Sequence, residues 1–404
     1  MLSKYKKLFS SVTSDLIYSI AGLCLMNGAL QLLVNPLINS WIGEEKFGMY
    51  QSILAVVAII GNTFGIAANY SRMVRHREKK DENSDYNIFL LIIAALCIPV
   101  SVIALVAYHV FTPASLLLLI PLMIFTVLRY YGDVWYRINL NYKGFFLYYL
   151  VITAGYCAGL LFCKATMRWE PAILLGEAAA FVFVFFTGKI YRGSNLKKSE
   201  NFSGSIKSIS LLSGNNLISA LAQNTDRIIL QISAGGTAVT TFYVATLLGK
   251  IVSLFTTPLN GVLIGYLTKY DGKITKKMFL VFVAALLAIG CIAVIGCYIG
   301  SVIFVKIFYA DVFNSAKPYF LLANAGQVFY FLSNCLSTAI LRIANEKYQV
   351  YLNLIYAVLF AATVIPMTLS MGLQGLTYSL LIANAGKFVI ATFIGLHKSQ
   401  SSAE

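Results

Sequence analysis

The hydrophobic segments of this chain contain four basic residues: Arg129, Arg227, Lys250 and Lys387. Apart from these residues, the segments have the composition of membrane-spanning helices, and three of the four lie several turns from either end. On insertion scales, one Lys or Arg near the centre of such a helix costs roughly 2.5–3.5 kcal/mol. Four such basic residues in one chain therefore indicate that they bind a negatively charged group. This predicts a membrane protein that handles an anionic substrate.

Three acidic residues lie well inside the same segments: Asp133, Glu177 and Asp226. Each is a candidate for proton or sodium coupling, because its occupancy could favour one conformational state over another. A structural role stays open for the same groups. Asp133 lies four residues after Arg129 on one helix face and is a candidate to neutralise it, and Glu177 or Asp226 could pair with Arg227 or Lys250. Lys387 could instead extend towards the cytoplasmic surface.

Composition identifies a polytopic membrane protein, since 59% of the 404 residues are hydrophobic and 12% are charged, with a mean hydropathy of +0.77. A helix needs about 20 apolar residues to cross the hydrocarbon layer. We therefore predict an all-α integral membrane fold with about 12 transmembrane helices. They run approximately over Leu16–Ile38, Tyr50–Tyr70, Ile88–Val110, Ser115–Tyr136, Phe145–Cys163, Ala172–Tyr191, Ile209–Ala234, Val239–Tyr266, Met278–Ile303, Pro318–Ile340, Tyr348–Leu369 and Leu373–Leu396.

The basic residues also predict the orientation, because Lys and Arg accumulate in short cytoplasmic loops. One alternating set of loops holds 22 of the 31 basic residues. The opposite set holds five: Lys46, Lys164, Arg168, Lys306 and Lys317. Both termini are therefore expected in the cytoplasm. The net charge of +15 reflects this topology, and no nucleic-acid partner is expected.

Internal similarity predicts two halves. Gly43, Phe47, Gly48 and Tyr50 match Gly236, Thr240, Thr241 and Tyr243 at a constant offset of 193 residues, with the same Gly-to-Tyr spacing. We predict an N-terminal six-helix bundle over 1–191, a cytoplasmic linker over 192–207 and a C-terminal six-helix bundle over 208–404. Two bundles related by a parallel repeat place a substrate path at their interface in a V-shaped central cavity.

Nothing in the sequence predicts a metal site, a catalytic centre or a cofactor. The seven cysteines all lie in predicted helices without a CxxC pair, and the three histidines are not at ligand spacing. No polar stretch is long enough to fold as a catalytic domain. We therefore expect a transporter and not an enzyme.

Three features of the sequence together are typical of one family: the number of spans, the segment Gly43–Tyr50 and the run Gln223-Asn224-Thr225-Asp226-Arg227-Ile228-Ile229-Leu230. In these features the chain resembles the bacterial lipid-linked oligosaccharide flippases, which translocate O-antigen and capsular repeat units and belong to the multidrug/oligosaccharidyl-lipid/polysaccharide exporter superfamily. The resemblance covers essentially the whole chain. It implies movement of undecaprenyl-pyrophosphate-linked sugar units across the bacterial cytoplasmic (inner) membrane, among membrane lipids. A polysaccharide polymerase and a chain-length regulator are further partners compatible with this resemblance.

The positions of the polar residues agree with such a substrate. A pyrophosphate can be held by Lys250, Arg227, Arg129 and Lys387 through charge-assisted hydrogen bonds, and Lys250 is the first candidate because it lies close to the membrane midplane. Amides that share helix faces are candidates to bind saccharide hydroxyls: Asn27, Gln31, Asn216 and Gln223. Bonds between helices are the structural alternative for such amides.

Two other functions stay open at this stage. A multidrug or cation exporter of the same superfamily should prefer acidic residues in its cavity. The hydrophobic segments of this chain contain four basic and three acidic residues, and this balance disfavours such an exporter. An integral-membrane polysaccharide polymerase or ligase would need a long outer loop and a catalytic constellation, and the sequence offers neither. A purely structural scaffold would leave the insertion cost of the buried charges unexplained.

Overall fold

The computed structural model describes residues 2–192, 196–254, 256, 260, 274–344 and 347–399, and every secondary-structure element that these residues form is helical. The α-helices are α1 Leu2–Ala29, α2 Asn35–Ile42, α3 Glu44–Ile60, α4 Ile66–Arg77, α5 Asn83–Ala107, α6 Pro113–Gly132, α7 Val134–Ile138, α8 Tyr142–Thr166, α9 Glu170–Thr187, α10 Phe202–Leu254, α11 Lys276–Phe308, α12 Phe313–Ala316, α13 Phe320–Ile343 and α14 Lys347–Lys398. Short 3₁₀ turns at Ala310–Val312 and Lys317–Tyr319 flank α12.

Nine helices among the described residues are long and apolar enough to cross a membrane. The all-helical membrane fold is therefore confirmed, while the count of twelve spans stays a prediction. The last part of the predicted span Val239–Tyr266, from residue 255 on, lies outside the described residues except for 256 and 260, as do residues 193–195 of the predicted linker.

Two of the long helices are broken at a glycine. In α10 the break is Gly235, with φ of 79°, and in α14 it is Gly372, with φ of 57°. Only glycine adopts such angles without strain. Each break falls between two spans that the hydropathy pattern separates, so α10 and α14 each consist of two apolar arms.

Two π-helical segments join successive helices in the N-terminal region: Leu30–Val34 between α1 and α2, and Gly61–Gly65 between α3 and α4. The first precedes Pro36, whose ring cannot donate to the carbonyl one turn earlier. In the second, a Cβ on Gly61 would lie 2.8 Å from the Tyr130 ring, so the glycine permits close packing against α6. Irregular hydrogen bonding therefore occurs where the sequence removes a donor or a side chain.

The chain divides into two compact units. Unit 1 comprises Met1–Gly43 and Ser52–Thr225, and unit 2 comprises Glu44–Gln51 and Asp226–Glu404. The first turns of α3, Glu44–Gln51, thus belong to unit 2, and the first part of α10, up to Thr225, belongs to unit 1. The predicted bundles 1–191 and 208–404 follow chain order instead, and they stay a prediction.

The core of unit 1 is rich in buried tyrosines whose hydroxyl groups are paired. The Tyr148 hydroxyl donates to the Arg129 carbonyl over 2.8 Å, and the hydroxyls of Tyr136 and Thr187 lie 2.6 Å apart. Helices α8 and α9 approach closely, since a Cβ on Gly159 would lie 2.5 Å from the Pro171 carbonyl oxygen. Small residues permit such backbone approach inside membranes.

The core of unit 2 joins α11, α13 and α14 through apolar side chains that include Phe279, Leu332 and Phe388. Asn324 connects three of its helices. Its side-chain oxygen accepts the Gly249 backbone N–H over 2.7 Å, and its amide donates to Ser301 over 3.1 Å. This amide therefore joins helices through its hydrogen bonds.

Candidate functional site

The buried basic residues differ in what holds them, and Arg129 has a carboxylate partner. Its Nε lies 2.6 Å from Glu177 Oε2, with side chains 9% and 3% exposed. The other Glu177 oxygen accepts a hydrogen bond from Tyr156 over 2.8 Å. The Arg129 guanidinium also lies 4.0 Å from the centre of the Tyr130 ring. Both charges of this pair are thus compensated within unit 1.

Asp133 pairs with Arg137 and not with Arg129. Arg137 donates to both Asp133 oxygens, over 3.1 and 2.9 Å. Tyr149 donates to one of the same oxygens over 3.0 Å, and the Asn69 amide donates to the other. The sequence suggested Asp133 as the group that neutralises Arg129, and the structure gives that role to Glu177 from the neighbouring helix α9.

Asp226 and Arg227 occupy the start of the unit 2 part of α10. Asp226 is 4% exposed, and its carboxylate oxygen lies 4.0 Å from Arg227 Nε. The same oxygen accepts the Arg227 backbone N–H over 2.8 Å. The Arg227 guanidinium also reaches Gln51, with Nη1 3.5 Å from both the backbone oxygen and Oε1. The ion pair is therefore longer than those of unit 1.

Lys250 is half-buried in the second arm of α10. Its ammonium lies 5.5 Å from the Phe242 ring centre and 5.9 Å from that of Tyr243. Arg227 and Asp226 are both within electrostatic range. Among the described residues, no carboxylate lies within ion-pair distance of this ammonium, so aromatic faces are its principal neighbours there.

Lys387 is buried in the second arm of α14 and is held by neutral groups. Its ammonium donates to Asn334 Oδ1 over 3.0 Å. It also lies over the rings of Tyr356 and Tyr330, at 4.7 and 5.5 Å from their centres. The Tyr356 hydroxyl donates to Asn384 Oδ1 over 2.9 Å. This cage fixes the ammonium in place without neutralising its charge.

Positive charge therefore predominates in the interior of unit 2. Among its described residues more than one turn from a helix end, the cations are Arg227, Lys250 and Lys387, and the one carboxylate is Asp226. Buried charges are normally paired because burial without compensation is costly. An arrangement with more cations than carboxylates can bind an anion.

The four candidate saccharide-binding amides all have partners within the protein. Asn27 and Gln223 donate to carbonyls of their own helices, at Leu23 over 2.8 Å and at Ser219 over 3.2 Å. Asn216 donates to the Asn62 carbonyl over 3.4 Å. Gln31 is half-buried and also has a partner. Their saccharide-binding role stays a prediction.

Sequence reasoning missed two buried polar residues. Gln51 is 2% exposed, and its contact with Arg227 joins positions 176 residues apart. Arg72 lies just beyond the predicted span Tyr50–Tyr70, but it is part of α4, is 5% exposed and donates to Tyr131 and Asn83. Its carboxylate partner Asp81 lies 3.5 Å away. The sequence feature that could have identified Arg72 as a buried, paired residue is the acidic and amide side chains that follow it, Asp81 and Asn83.

The described residues contain no group of three or more His, Cys, Asp or Glu side chains placed to hold a metal ion. The described cysteines are all free thiols, and Cys97, Cys163, Cys297 and Cys335 are buried. Buried thiols of this kind behave as small apolar side chains.

Comparison with known proteins identifies the fold. No model of a known protein family matches the sequence, and no curated protein matches it. Among solved structures, the lipid II flippase MurJ in an inward closed conformation matches with a TM-score of 0.72 and 15% identity, covering 93% of this chain and 87% of that one. An inward-facing multidrug resistance MATE family transporter of the MOP superfamily matches with a TM-score of 0.67 and 14% identity, covering 95% of this chain and 100% of that one.

A further MOP superfamily transporter, from Pyrococcus furiosus, is described as having a binding pocket of reverse polarity. It matches with a TM-score of 0.60 and 15% identity over 96% of both chains. At these identities the likeness shows the fold. The chain is therefore a multi-pass membrane protein with the MATE- and MurJ-like fold of MOP superfamily transporters.

Proposed function

We propose that this protein is a flippase that moves undecaprenyl-pyrophosphate-linked O-antigen or capsular oligosaccharide units across the bacterial cytoplasmic membrane by alternating access. The observation that carries the proposal is the excess of cations over carboxylates among the described interior residues of unit 2. A pyrophosphate carries several negative charges and matches this excess. The fold shared with a lipid II flippase supports the same class of lipid-linked substrate.

Within this proposal, Lys250 and Arg227 are the principal pyrophosphate-binding residues. Lys250 has aromatic neighbours instead of a carboxylate among the described residues, and Arg227 is 4.0 Å from its nearest acid. Arg129 and Lys387 are secondary candidates, because Glu177 holds the first and Asn334 the second. The amides of Asn27, Gln31, Asn216 and Gln223 supply hydrogen bonds for saccharide hydroxyls.

Coupling is assigned to Asp226. Glu177 and Asp133 are each fixed by an arginine within 3 Å, whereas the Asp226 carboxylate lies farther from its arginine. In this proposal Asp226 alternates between binding a proton or sodium ion and facing Arg227 or Lys250. Neighbouring lipids, a polymerase and a chain-length regulator complete the expected partners.

Multidrug export is the second candidate, since several solved structures of this fold are multidrug transporters. The buried charges argue against a cationic drug, because three cations against one carboxylate would repel it. A polysaccharide polymerase or ligase is disfavoured by the transporter fold of the solved neighbours.

Complementation tests the flippase directly. Cells that lack their own O-antigen or capsule flippase would express this chain, its Lys250→Ala and Arg227→Ala variants, and Lys306→Ala as an exposed-lysine control, all at matched levels. We expect the parent and the control to restore surface polysaccharide, and the two buried-cation variants to lose it by about tenfold or more, as for the loss of a charge-assisted bond.

Failure of the parent in several matching sugar backgrounds would contradict the flippase and put drug export first. Full activity of both Lys250→Ala and Arg227→Ala would mean that the protein is a flippase whose contacts with the anion are made by other residues. The exposed-lysine control separates a loss of activity in Lys250→Ala or Arg227→Ala from a general effect of removing one positive charge.

A further inference from the structure

Gln51 lies at the same depth in its helix as Arg227 does in α10. It follows the break at Gly43 by eight residues, and Arg227 precedes the break at Gly235 by eight, which is about 12 Å along each helix. The guanidinium of Arg227 contacts both the backbone oxygen and the side-chain oxygen of Gln51, at 3.5 Å each. Both residues belong to unit 2.

The other end of the Gln51 amide is what points to a ligand. Because Oε1 is turned towards Arg227, the two N–H donors of Nε2 point away from it. This nitrogen is buried and has no hydrogen-bond partner among the described residues, and the whole residue is 2% exposed. Buried polar groups are nearly always hydrogen-bonded, so an orphaned donor here requires an explanation.

The surroundings select the kind of acceptor. The orphaned N–H groups lie on the residue that contacts a guanidinium, and the Lys250 ammonium is within electrostatic range of that guanidinium. A neutral acceptor would leave the excess positive charge uncompensated, whereas an oxyanion would accept the N–H groups and compensate the charge. A phosphate oxygen has both properties.

We propose that Gln51 is a substrate-positioning residue that orients Arg227 through its side-chain oxygen and donates its amide N–H to a phosphate oxygen of the lipid-linked pyrophosphate. The inference rests on the proposed function, which it deepens by adding a neutral donor to the cations. It also predicts that the site recognises the position of an oxyanion and not negative charge alone.

Binding of inorganic pyrophosphate to the purified full chain tests the inference. Titration calorimetry would compare the parent in nanodiscs of neutral lipid with Gln51→Met, which keeps an unbranched side chain of similar length, and with Gln51→Glu. Gln374→Glu, an exposed position in unit 2, is the matched control for the added charge. A melting curve of each variant verifies that it is folded.

We expect the parent and Gln374→Glu to bind pyrophosphate alike. Gln51→Met should bind at least about tenfold more weakly, as for the loss of a hydrogen bond to a charged group. Gln51→Glu should bind more weakly still, since its carboxylate would pair with Arg227 and compete with the anion. Should Gln51→Glu fail to fold, the neutral Gln51→Met carries the comparison.

Three outcomes would overturn the inference: no pyrophosphate binding by the parent, parent-like binding by folded Gln51→Met, or loss of pyrophosphate binding when the nanodiscs contain phosphatidylglycerol. The last would assign the site to a phospholipid headgroup. Complementation separates this inference from the proposed function. If the parent chain restores surface polysaccharide but does not bind pyrophosphate, the protein is a flippase with another anion site. If pyrophosphate binding depends on Gln51 but surface polysaccharide is not restored, only the proposed flippase function is contradicted.

Discussion

The Arg129–Glu177 pair shows why a buried cation is not by itself a substrate contact. Its side chains are 9% and 3% exposed and its charged atoms lie 2.6 Å apart. Removing one partner of such a pair leaves the other charge buried and uncompensated, which typically costs about 3–5 kcal/mol, whereas replacing both by apolar residues can be nearly neutral.

We therefore expect Arg129→Met to lower the melting temperature strongly and the double variant Arg129→Met/Glu177→Leu to recover most of the loss. Melting curves of the purified proteins would measure both, with Lys143→Met as the exposed control in the same unit. Restored surface polysaccharide in the double variant would remove Arg129 from the secondary candidates for pyrophosphate binding. A folded double variant without transport would instead make Arg129 or Glu177 part of the transport machinery.

Asp226 differs from the other buried acids in the length of its ion pair. It lies 4.0 Å from Arg227 Nε, while Glu177 and Asp133 have arginine nitrogens at 2.6 and 2.9 Å. A carboxylate held less tightly is the better candidate to bind a proton or sodium ion in one state only. Transport by Asp226→Asn should thus continue without dependence on an ion gradient.

Proteoliposomes with imposed proton or sodium gradients would measure this dependence. Asp311→Asn, an exposed acid of unit 2, is the control and should keep the response of the parent. Unchanged gradient dependence in Asp226→Asn would rule out its coupling role.

At the scale of elements, the two segments that echo each other in the sequence pack against one another within unit 2. The Phe47 and Tyr243 rings have centres 5.4 Å apart, and the Thr240 hydroxyl donates to the Glu44 carbonyl. A Cβ on Gly48 would lie 1.8 Å from the Gly236 carbonyl oxygen. Hydrogen in place of a methyl group is therefore required for α3 and α10 to approach this closely.

We expect Gly48→Ala to destabilise the protein by about 1–3 kcal/mol or more through overpacking. Gly214→Ala is the matched control, since it lies in α10 with nothing within 4 Å of its Cβ position, and it should be neutral or stabilising by a few tenths to 1 kcal/mol. Equal melting temperatures for the two variants would mean that the helices separate at little cost.

The stretch 196–205, which leads into α10, is held within unit 1 by one buried carboxylate, Asp85. Asp85 accepts hydrogen bonds from the Ser199 backbone N–H over 3.1 Å, from the Ser199 hydroxyl over 2.7 Å and from the Ser205 hydroxyl over 3.2 Å. Arg75 adds a bond to the Asn201 carbonyl over 3.4 Å. These contacts order a stretch whose polar composition alone predicts only a linker.

Asp85→Ala should release this segment, because three bonds to a charged acceptor are lost. Trypsin should then cut at the exposed Lys197 and Lys198 about tenfold faster or more, since local opening exposes their backbone. Glu82→Ala, an exposed acid near the start of the same helix, is the control. Cleavage at the parental rate in Asp85→Ala would show that other contacts hold the segment.

For the whole molecule, the hydropathy pattern is sufficient to predict the helical class and most helix positions. The helix breaks at Gly235 and Gly372 also fall where the hydropathy pattern places the boundary between two successive predicted spans. The partners of the charges could not be predicted, because Arg129 and Glu177 are 48 residues apart and meet only through the packing of α6 against α9. Helical spacing in the sequence favours Asp133 as the partner of Arg129, because Asp133 lies only four residues away.

The loop charges predict the orientation of the molecule, and this orientation decides which leaflet would supply the proposed substrate. With 22 of 31 basic residues in one set of loops, that set should remain in the cytoplasm. In a cysteine-free background, Lys46→Cys should react with a membrane-impermeant maleimide in intact cells, and Lys197→Cys only after lysis; both side chains are exposed. The reverse pattern would place the charge-rich loops outside and contradict transport from the inner to the outer leaflet, whatever the anion site binds.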